Sequence, residues 1–381
     1  MVHADVVAYN IAVIIVTLFI LEFGADKFID HTVIVSRRTG IPATIIALLT
    51  AGAEWEELAV VVASLAQGRA SLSIGNIIGS AISNILGAFS LGLLFHEKGK
   101  PIHFDTSSRI YSILLLSLTT FVTPITYFSK RAISLACGIT LIALFGIYVG
   151  SIGWAISKGN LAAPEDSDDD SSDGNSSVYM TERRSTSRDQ PESLPDEPAH
   201  APPSGHTHPT SDPAPGPSSD TSRHRHHTLR YHIFYLFIGF LAICIAGYVL
   251  SHAAIIITDE FGISDVLFGV IILAIITTLP EKFIAVISGH RGHVGILVAN
   301  TAGSNIFLLS LCLGIIMVDT SGKFNDGNVK IPELAVLWGS TLGFTLTVWF
   351  GGKFSRWIGA VMLLCYVAFI VLEFTVIHSV N

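Results

Sequence analysis

Two glutamates in apolar surroundings, Glu57 and Glu281, are the residues with unusual chemistry in this chain. Each sits inside a long aliphatic run, where an ionised carboxylate costs roughly 2.5–3.5 kcal/mol on membrane-insertion scales. Two such groups facing each other also repel. A bound cation removes both penalties. Hard cations take oxygen ligands, and calcium takes about six to eight of them. Neutral oxygens stand nearby: Asn76, Ser80 and Asn84 recur at i, i+4 and i+8 and share a helical face. Ser304, Thr277 and Thr278 add hydroxyls. Pro280 interrupts the helical ladder, so carbonyls near Ala274 or Thr50 are expected to face the ion. The competing reading places each glutamate at a helix end in the membrane interface, and Asn76 and Asn300 in helix–helix hydrogen bonds.

These residues belong to an internal repeat. GAEWEELAVVVASLAQGRASLSIGNIIGSAISNILG starts at Gly52, and TTLPEKFIAVISGHRGHVGILVANTAGSNIFLLSLCLG at Thr277. The offset that puts Glu57 on Glu281 also superposes Gly68 on Gly292, Asn76 on Asn300, Gly79 on Gly303, Ser80 on Ser304 and Ile82 on Ile306. Gly75, Gly79 and Gly303 suit close helix approach.

The elements that carry the repeat read as membrane helices. Half of the 381 residues are hydrophobic and 14% are charged, against about 25% charged in soluble domains. Apolar runs cover 6–23, 42–66, 74–95, 110–128, 132–156, 232–257, 264–288, 294–317, 332–351 and 356–378. Most approach the ~20 residues that cross a bilayer as a helix. The expected fold is an all-α multi-pass membrane protein of ten transmembrane helices. Five in each half is an odd number, so the second copy is inverted, and a substrate site falls near the midplane between the copies. The domains are then 1–157, 158–230 and 231–381, the middle one a polar loop. The run 6–23 has no basic start, because the first basic residue is Lys27, and it reads as a retained helix.

The polar stretch holds ten of the 15 prolines and −6 of the net −8 charge. Its Ser, Pro, Asp and Gly content predicts disorder. Its acidic run, Glu165 to Asp173, reads as solvated charge rather than a calcium loop. His224, His226 and His227 read as part of a basic juxtamembrane end. The loop is expected to be open to regulatory proteins. Short-loop Lys and Arg residues, including Lys27, Arg37, Arg38, Lys98, Lys100 and Arg291, place this loop in the cytosol. Without a basic surface, nucleic-acid binding is not expected. Cys137, Cys244, Cys312 and Cys365 lie in apolar spans and read as small core residues.

The two repeats resemble the α-repeats of the cation/calcium exchanger superfamily, particularly the sodium/calcium exchanger membrane domain. The family pattern G-T-S-x-P-E is closely matched by T-T-L-P-E at Thr277–Glu281, and G-A-E-W-E-E at Gly52–Glu57 stands at its place in the first repeat. The pattern G-S-N is met by G-S-N-I-F-L at Gly303–Leu308 and by G-S-A-I-S-N at Gly79–Asn84. GADKFIDHTVIVSRRTGIP, after the first helix, is similar to the family's linker. The resemblance implies ion ligands at Glu57, Ser80, Asn84, Thr277, Thr278, Glu281 and Ser304. It also implies that the first and sixth helices slide across the remaining bundle.

Several positions depart from the pattern. Ala53 and Glu54 stand where Thr-Ser is usual, Glu56 replaces proline, and Ala81 replaces Asn. Leu308 replaces a common ligand, and Lys282 an apolar residue. Glu54 lies three residues from Glu57, on the same helical face, and is expected to replace the oxygen missing at 308. Lys282 pairs with Glu56 or Glu54, or else faces a water-filled vestibule together with Glu56. The proton-coupled branch's G-N-x-x-E is absent.

The implied function is an antiporter, not an enzyme, exchanging calcium or a similar divalent cation for sodium or protons. Glu57 and Glu281 form the central ligand pair, with Asn84 beside them. The ions are cargo, and no cofactor is expected. A proton-coupled exchanger, a non-transporting sensor or scaffold, and an intramembrane protease are the alternatives. The membrane is the plasma membrane or a vacuolar or other internal one.

Overall fold

In a computed structural model of the chain, residues 3–39, 54–97, 102–127, 131–157, 229–320 and 329–377 are described. They are helical almost throughout, and no strand occurs among them. Helix α1 covers Ala4–Thr39, α2 Trp55–Ala66, α3 Ala70–Phe95, α4 Thr106–Tyr127, α5 Arg131–Ser157 and α6 Leu229–Phe261. Helix α7 covers Asp265–Thr277, α8 Leu279–Arg291, α9 Val294–Thr320, α10 Ile331–Phe350 and α11 Ser355–Ile377.

Eight of these helices are long and apolar enough to cross a membrane, and α7 with α8, bent by 48°, makes a ninth such span. The expected span 42–66 is represented by α2, and its earlier part, Thr50 included, lies outside the described residues. The polar loop also lies outside them, save that α6 already begins at Leu229 rather than after residue 230.

Composition sorts the helices into centre and periphery. In α3 and α9 the apolar windows are 89% and 83% buried, against 28% or less in α1, α4, α5, α6 and α11. The outer helices turn large apolar side chains outwards, among them Phe19, Ile147, Phe234 and Trp357. In lipid such exposure carries no hydration penalty, so it marks the hydrocarbon face. The two central helices instead carry small and polar residues, which permit close contact and bond across interfaces. A Cβ on Gly75 would come within 2.7 Å of the Val266 carbonyl oxygen, and Gly79 lies directly on the Val270 backbone. Helix α3 therefore runs against α7 with almost no space between the backbones.

The two copies of the repeat break and bend at matching places. Gly68 after α2 and Gly292 after α8 both take positive φ, +74° and +76°. Such a conformation at a helix end favours glycine. Wider, π-type turns begin at Ser83 in α3 and at Phe307 in α9, which are equivalent repeat positions. The copies are antiparallel. Asn305 of α9 bonds the Ala81 carbonyl at 3.3 Å. Gly92, further along α3, abuts Leu297, which lies earlier along α9.

Helices α1 and α6 pair along their length, meeting closely where Gly24 faces Gly239 and Ala242. Gly247 of α6 then packs on Ala59 of α2. Residues 24–39, expected as a linker, instead continue α1 to Thr39. No glycine or proline interrupts 25–39, and Lys27 pairs with Asp30 at i, i+3, 3.9 Å apart. Cys312 is buried in α9, but Cys244 and Cys365 are exposed on outer faces, contrary to the core placement expected of them. A small, weakly polar thiol is tolerated against hydrocarbon.

Candidate cation site

Both glutamates occupy the first turn of a helix that starts beside the bundle centre. Glu57 lies in the first turn of α2, and Glu281 in the first turn of α8 behind Pro280. A helix N-terminus favours a carboxylate, because its free N–H groups and dipole both point at the negative charge. Proline is tolerated there because it removes only an N–H that lacks a helical partner.

Glu57 is 2% exposed, and its carboxylate is held by donors from both halves of the chain. Oε1 accepts from the Ser80 hydroxyl at 2.8 Å and from the Thr277 hydroxyl at 2.6 Å. Oε2 accepts from the Asn76 amide. Thr277 reaches this position because it ends α7 at the break, one residue before the chain turns.

Glu54 precedes α2 and is also buried. Its Oε1 accepts from Asn84 Nδ2 at 3.1 Å, and Ser304 lies alongside. Asn84, on the wide turns that begin at Ser83, lies one helical turn further along α3 than Ser80, as Glu54 lies one turn before Glu57. Asn84 therefore meets Glu54 and, at 3.5 Å, Asn305 Oδ1, rather than Glu57. Glu281 is half-buried and within electrostatic range of Glu54, Glu56 and Glu57. None of the hydrogen bonds that hold Glu57 involves Glu281, and the two carboxyls act on each other electrostatically.

Four buried oxygens here have no donor among the described residues: Glu54 Oε2, Asn76 Oδ1, Asn84 Oδ1 and Glu281 Oε2. An unsatisfied buried acceptor costs about 1–3 kcal/mol, so such atoms call for a partner. A cation supplies what all four lack. Among the described residues no three His, Cys, Asp or Glu side chains converge as a metal cage. A cation held here would therefore draw on hydroxyl and amide oxygens as well as carboxylates.

Other expectations need correction. Lys282 forms no ion pair with Glu54 or Glu56. Its ammonium instead donates to Thr278 Oγ1 at 2.5 Å, Ser83 Oγ at 2.9 Å, the Thr278 carbonyl at 3.1 Å and the Ile275 carbonyl at 3.5 Å. The Ala274 carbonyl is not free, because it accepts from the Thr278 amide at 3.2 Å and hydroxyl at 2.6 Å. The Ile275 carbonyl turns to the Lys282 ammonium, and the Thr278 carbonyl, which accepts from the Lys282 amide at 3.4 Å as the cap of α8, accepts from the ammonium as well. Thr278 thus faces Ser83 and Lys282 rather than Glu57.

Sequence reasoning missed three contributors: Asn305, Ser83 and Tyr366. Asn305 had a signal in the G-S-N of the second repeat, and its amide bonds the carbonyl of Ala81, its own counterpart in the first. Tyr366, which donates to Ser83 Oγ at 2.9 Å, had none, because it lies outside both repeats.

A family model described as "Sodium/calcium exchanger protein" matches residues 9–154 and 231–375. CaxA of Alkalimonas amylolytica, whose given name is that of an antiporter, is 25% identical over 368 residues, covering 95% of this chain and 98% of its own length. The sodium/calcium exchanger MaX1 of Methanosarcina acetivorans is 31% identical over 146 residues, 37% of this chain and 40% of its own. The fold matches a solved structure of the sodium-calcium exchanger NCX_Mj with a TM-score of 0.53 and 20% identity, over 96% of this chain and 99% of that one. The family model takes in most of the chain and both halves of the bundle, and this protein belongs to the sodium/calcium exchanger family.

Proposed function

We propose that the protein is a membrane antiporter exchanging calcium, or a similar divalent cation, for sodium or protons by alternating access. The four donorless oxygens on Glu54, Asn76, Asn84 and Glu281, gathered where antiparallel repeats cross, are the observation that carries this reading. Glu57 and Glu281 are the charged ligands. Ser80, Asn84, Thr277 and Ser304 supply neutral oxygens, Thr278 lines the adjoining helix break, and Glu54 stands in for the oxygen lost at Leu308.

Hydroxyl chemistry gives the site two states. Without cargo, Ser80 and Thr277 donate their protons to Glu57 and satisfy it. A hydroxyl is both donor and acceptor and rotates freely. As a cation arrives, those protons swing away, and the hydroxyl oxygens and the carboxylate face the ion together. An empty site keeps several uncompensated acids in a low-dielectric centre, which opposes passage through a closed, dehydrated state. One divalent ion or several monovalent ions neutralise them, and the result is exchange rather than leak. Because Thr277 comes from the second half and Ser80 from the first, relative motion of the halves changes the ligand set. Sliding of α1 and α6 together over the remaining bundle fits their pairing with each other and the outward-facing apolar side chains they carry. The loop between lies on the cytosolic face, where it is open to regulatory proteins.

Uptake of radioactive calcium into liposomes holding the purified protein, under imposed sodium or proton gradients, tests the proposal. Gradient-driven uptake identifies the counter-ion. Calcium that stays outside under every gradient would leave the non-transporting sensor as the better reading.

A further inference from the structure

We propose that the Lys282 ammonium is a tethered cation, held where an exchanged monovalent ion would otherwise bind at the α7–α8 break. The inference deepens the exchange reading and rests on it for its functional meaning.

The geometry is that of an oxygen cage. A lysine ammonium has three N–H donors. They meet Thr278 Oγ1 at 2.5 Å, Ser83 Oγ at 2.9 Å and the Thr278 carbonyl at 3.1 Å, and the Ile275 carbonyl stands further off at 3.5 Å. Two of these oxygens are backbone carbonyls at the break, that of Thr278 also accepting from the Lys282 amide at 3.4 Å, and two are hydroxyls from opposite halves of the chain.

The hydroxyl protons are all directed elsewhere. Tyr366 donates to Ser83 Oγ at 2.9 Å. Ser83 and Thr278 are 2.9 Å apart, and the Thr278 hydroxyl donates to the Ala274 carbonyl at 2.6 Å. Tyr366 spends one lone pair of Ser83, so the Ser83 proton passes to Thr278 and the Thr278 proton to Ala274. Both hydroxyls then offer only lone pairs to Lys282. A pocket built wholly of acceptors is cation-specific, and it would serve a sodium ion as it serves the ammonium. The stem is accommodated too: a Cβ on Gly87 would come within 3.3 Å of Lys282 Cε, so the absence of a side chain at 87 leaves it room.

A fixed positive charge here offsets part of the negative charge of Glu54, Glu57 and Glu281 in every conformation. Each turnover would then carry one monovalent ion fewer than it would with an apolar residue at 282.

Equilibrium binding of radioactive sodium to the purified full chain tests this. Lys282→Met should bind one more sodium per protein than the parent, and adding Thr278→Val should abolish the gain. Lys282→Gln serves equally if Lys282→Met does not give a monodisperse protein on gel filtration. Equal sodium counts in the parent and a folded Lys282 variant would overturn the proposal, as would a gain that survives Thr278→Val. Calcium flux of the parent in liposomes is measured alongside. Loss of flux there would remove the antiporter reading while leaving the sodium count to judge the lysine.

Discussion

Glu57→Gln separates binding from folding better than any other single change. The substitution keeps the side chain's shape and one oxygen, which continues to accept from Ser80 and Thr277. The new NH2 faces the Asn76 amide, an initial clash of donors. Asn76 Oδ1 has no donor in the structure, so turning that amide over converts the clash into a hydrogen bond. Three charge-assisted bonds become neutral ones, but a buried charge is also removed, and the net loss of stability is about 1 kcal/mol. Cation binding suffers far more. Unit charges about 4 Å apart at an effective dielectric near 20 interact by ~4 kcal/mol, and a divalent ion doubles this. With about half offset by the lost hydration of both groups, ~4 kcal/mol remains, or about a thousand-fold in affinity. Calorimetric titration of calcium into parent and variant, with thermal melts of both, makes the comparison. A well-folded variant binding calcium within about tenfold of the parent would refute the reasoning.

Other perturbations test separate parts of the account. Arg69→Ala removes the bonds from Arg69 to Asp259 and to Asp265, whose side chain is 3% exposed. The lost compensation should cost about 3 kcal/mol and lower the melting temperature. Gly79→Ala drives a methyl group into the Val270 backbone and should cost at least 1–3 kcal/mol, about the range for overpacking. Gly146→Ala, with nothing within 4 Å, should melt like the parent. Asp105 accepts from the Ser108 amide at 2.9 Å at the start of α4. Burial raises the pKa of its carboxyl, but hydrogen bonds from Ser108 outweigh this and hold it below its usual value. The folded pKa is thus the lower one, so its stabilisation is present above the ordinary carboxylate range and fades as pH falls through the depressed value. Asp105→Ala should lose about 1 kcal/mol at neutral pH, with the difference between the melts shrinking in acid.

Periodicity and composition made the membrane helices legible, one repeat offset singled out Glu57, Ser80, Glu281 and Ser304, and the T-T-L-P-E resemblance added Thr277. Those signals are local or translational, and a sequence carries them openly. The hidden part was register. Asn84 meets Glu54 rather than Glu57, a pairing set by how the segment 54–66 sits along α3, and nothing in the alternation of residues announces it. The same limit hid the destination of Lys282, for which the sequence offers an acid partner or a water-filled vestibule but no sign of neutral oxygens at the break. The carbonyls of Ile275 and Thr278, with two hydroxyls, hold the ammonium in place of the acids. Residues 24–39 resemble a linker in sequence, but with no glycine or proline from 25 to 39 the helix α1 continues through them.

Anomalous scattering from crystals soaked in strontium tests the central claim most directly. The account requires a strontium peak within bonding distance of side-chain oxygens from both repeats, with Glu57 or Glu281 among its ligands. A fully occupied peak elsewhere in the bundle, with those carboxylates untouched, would contradict it.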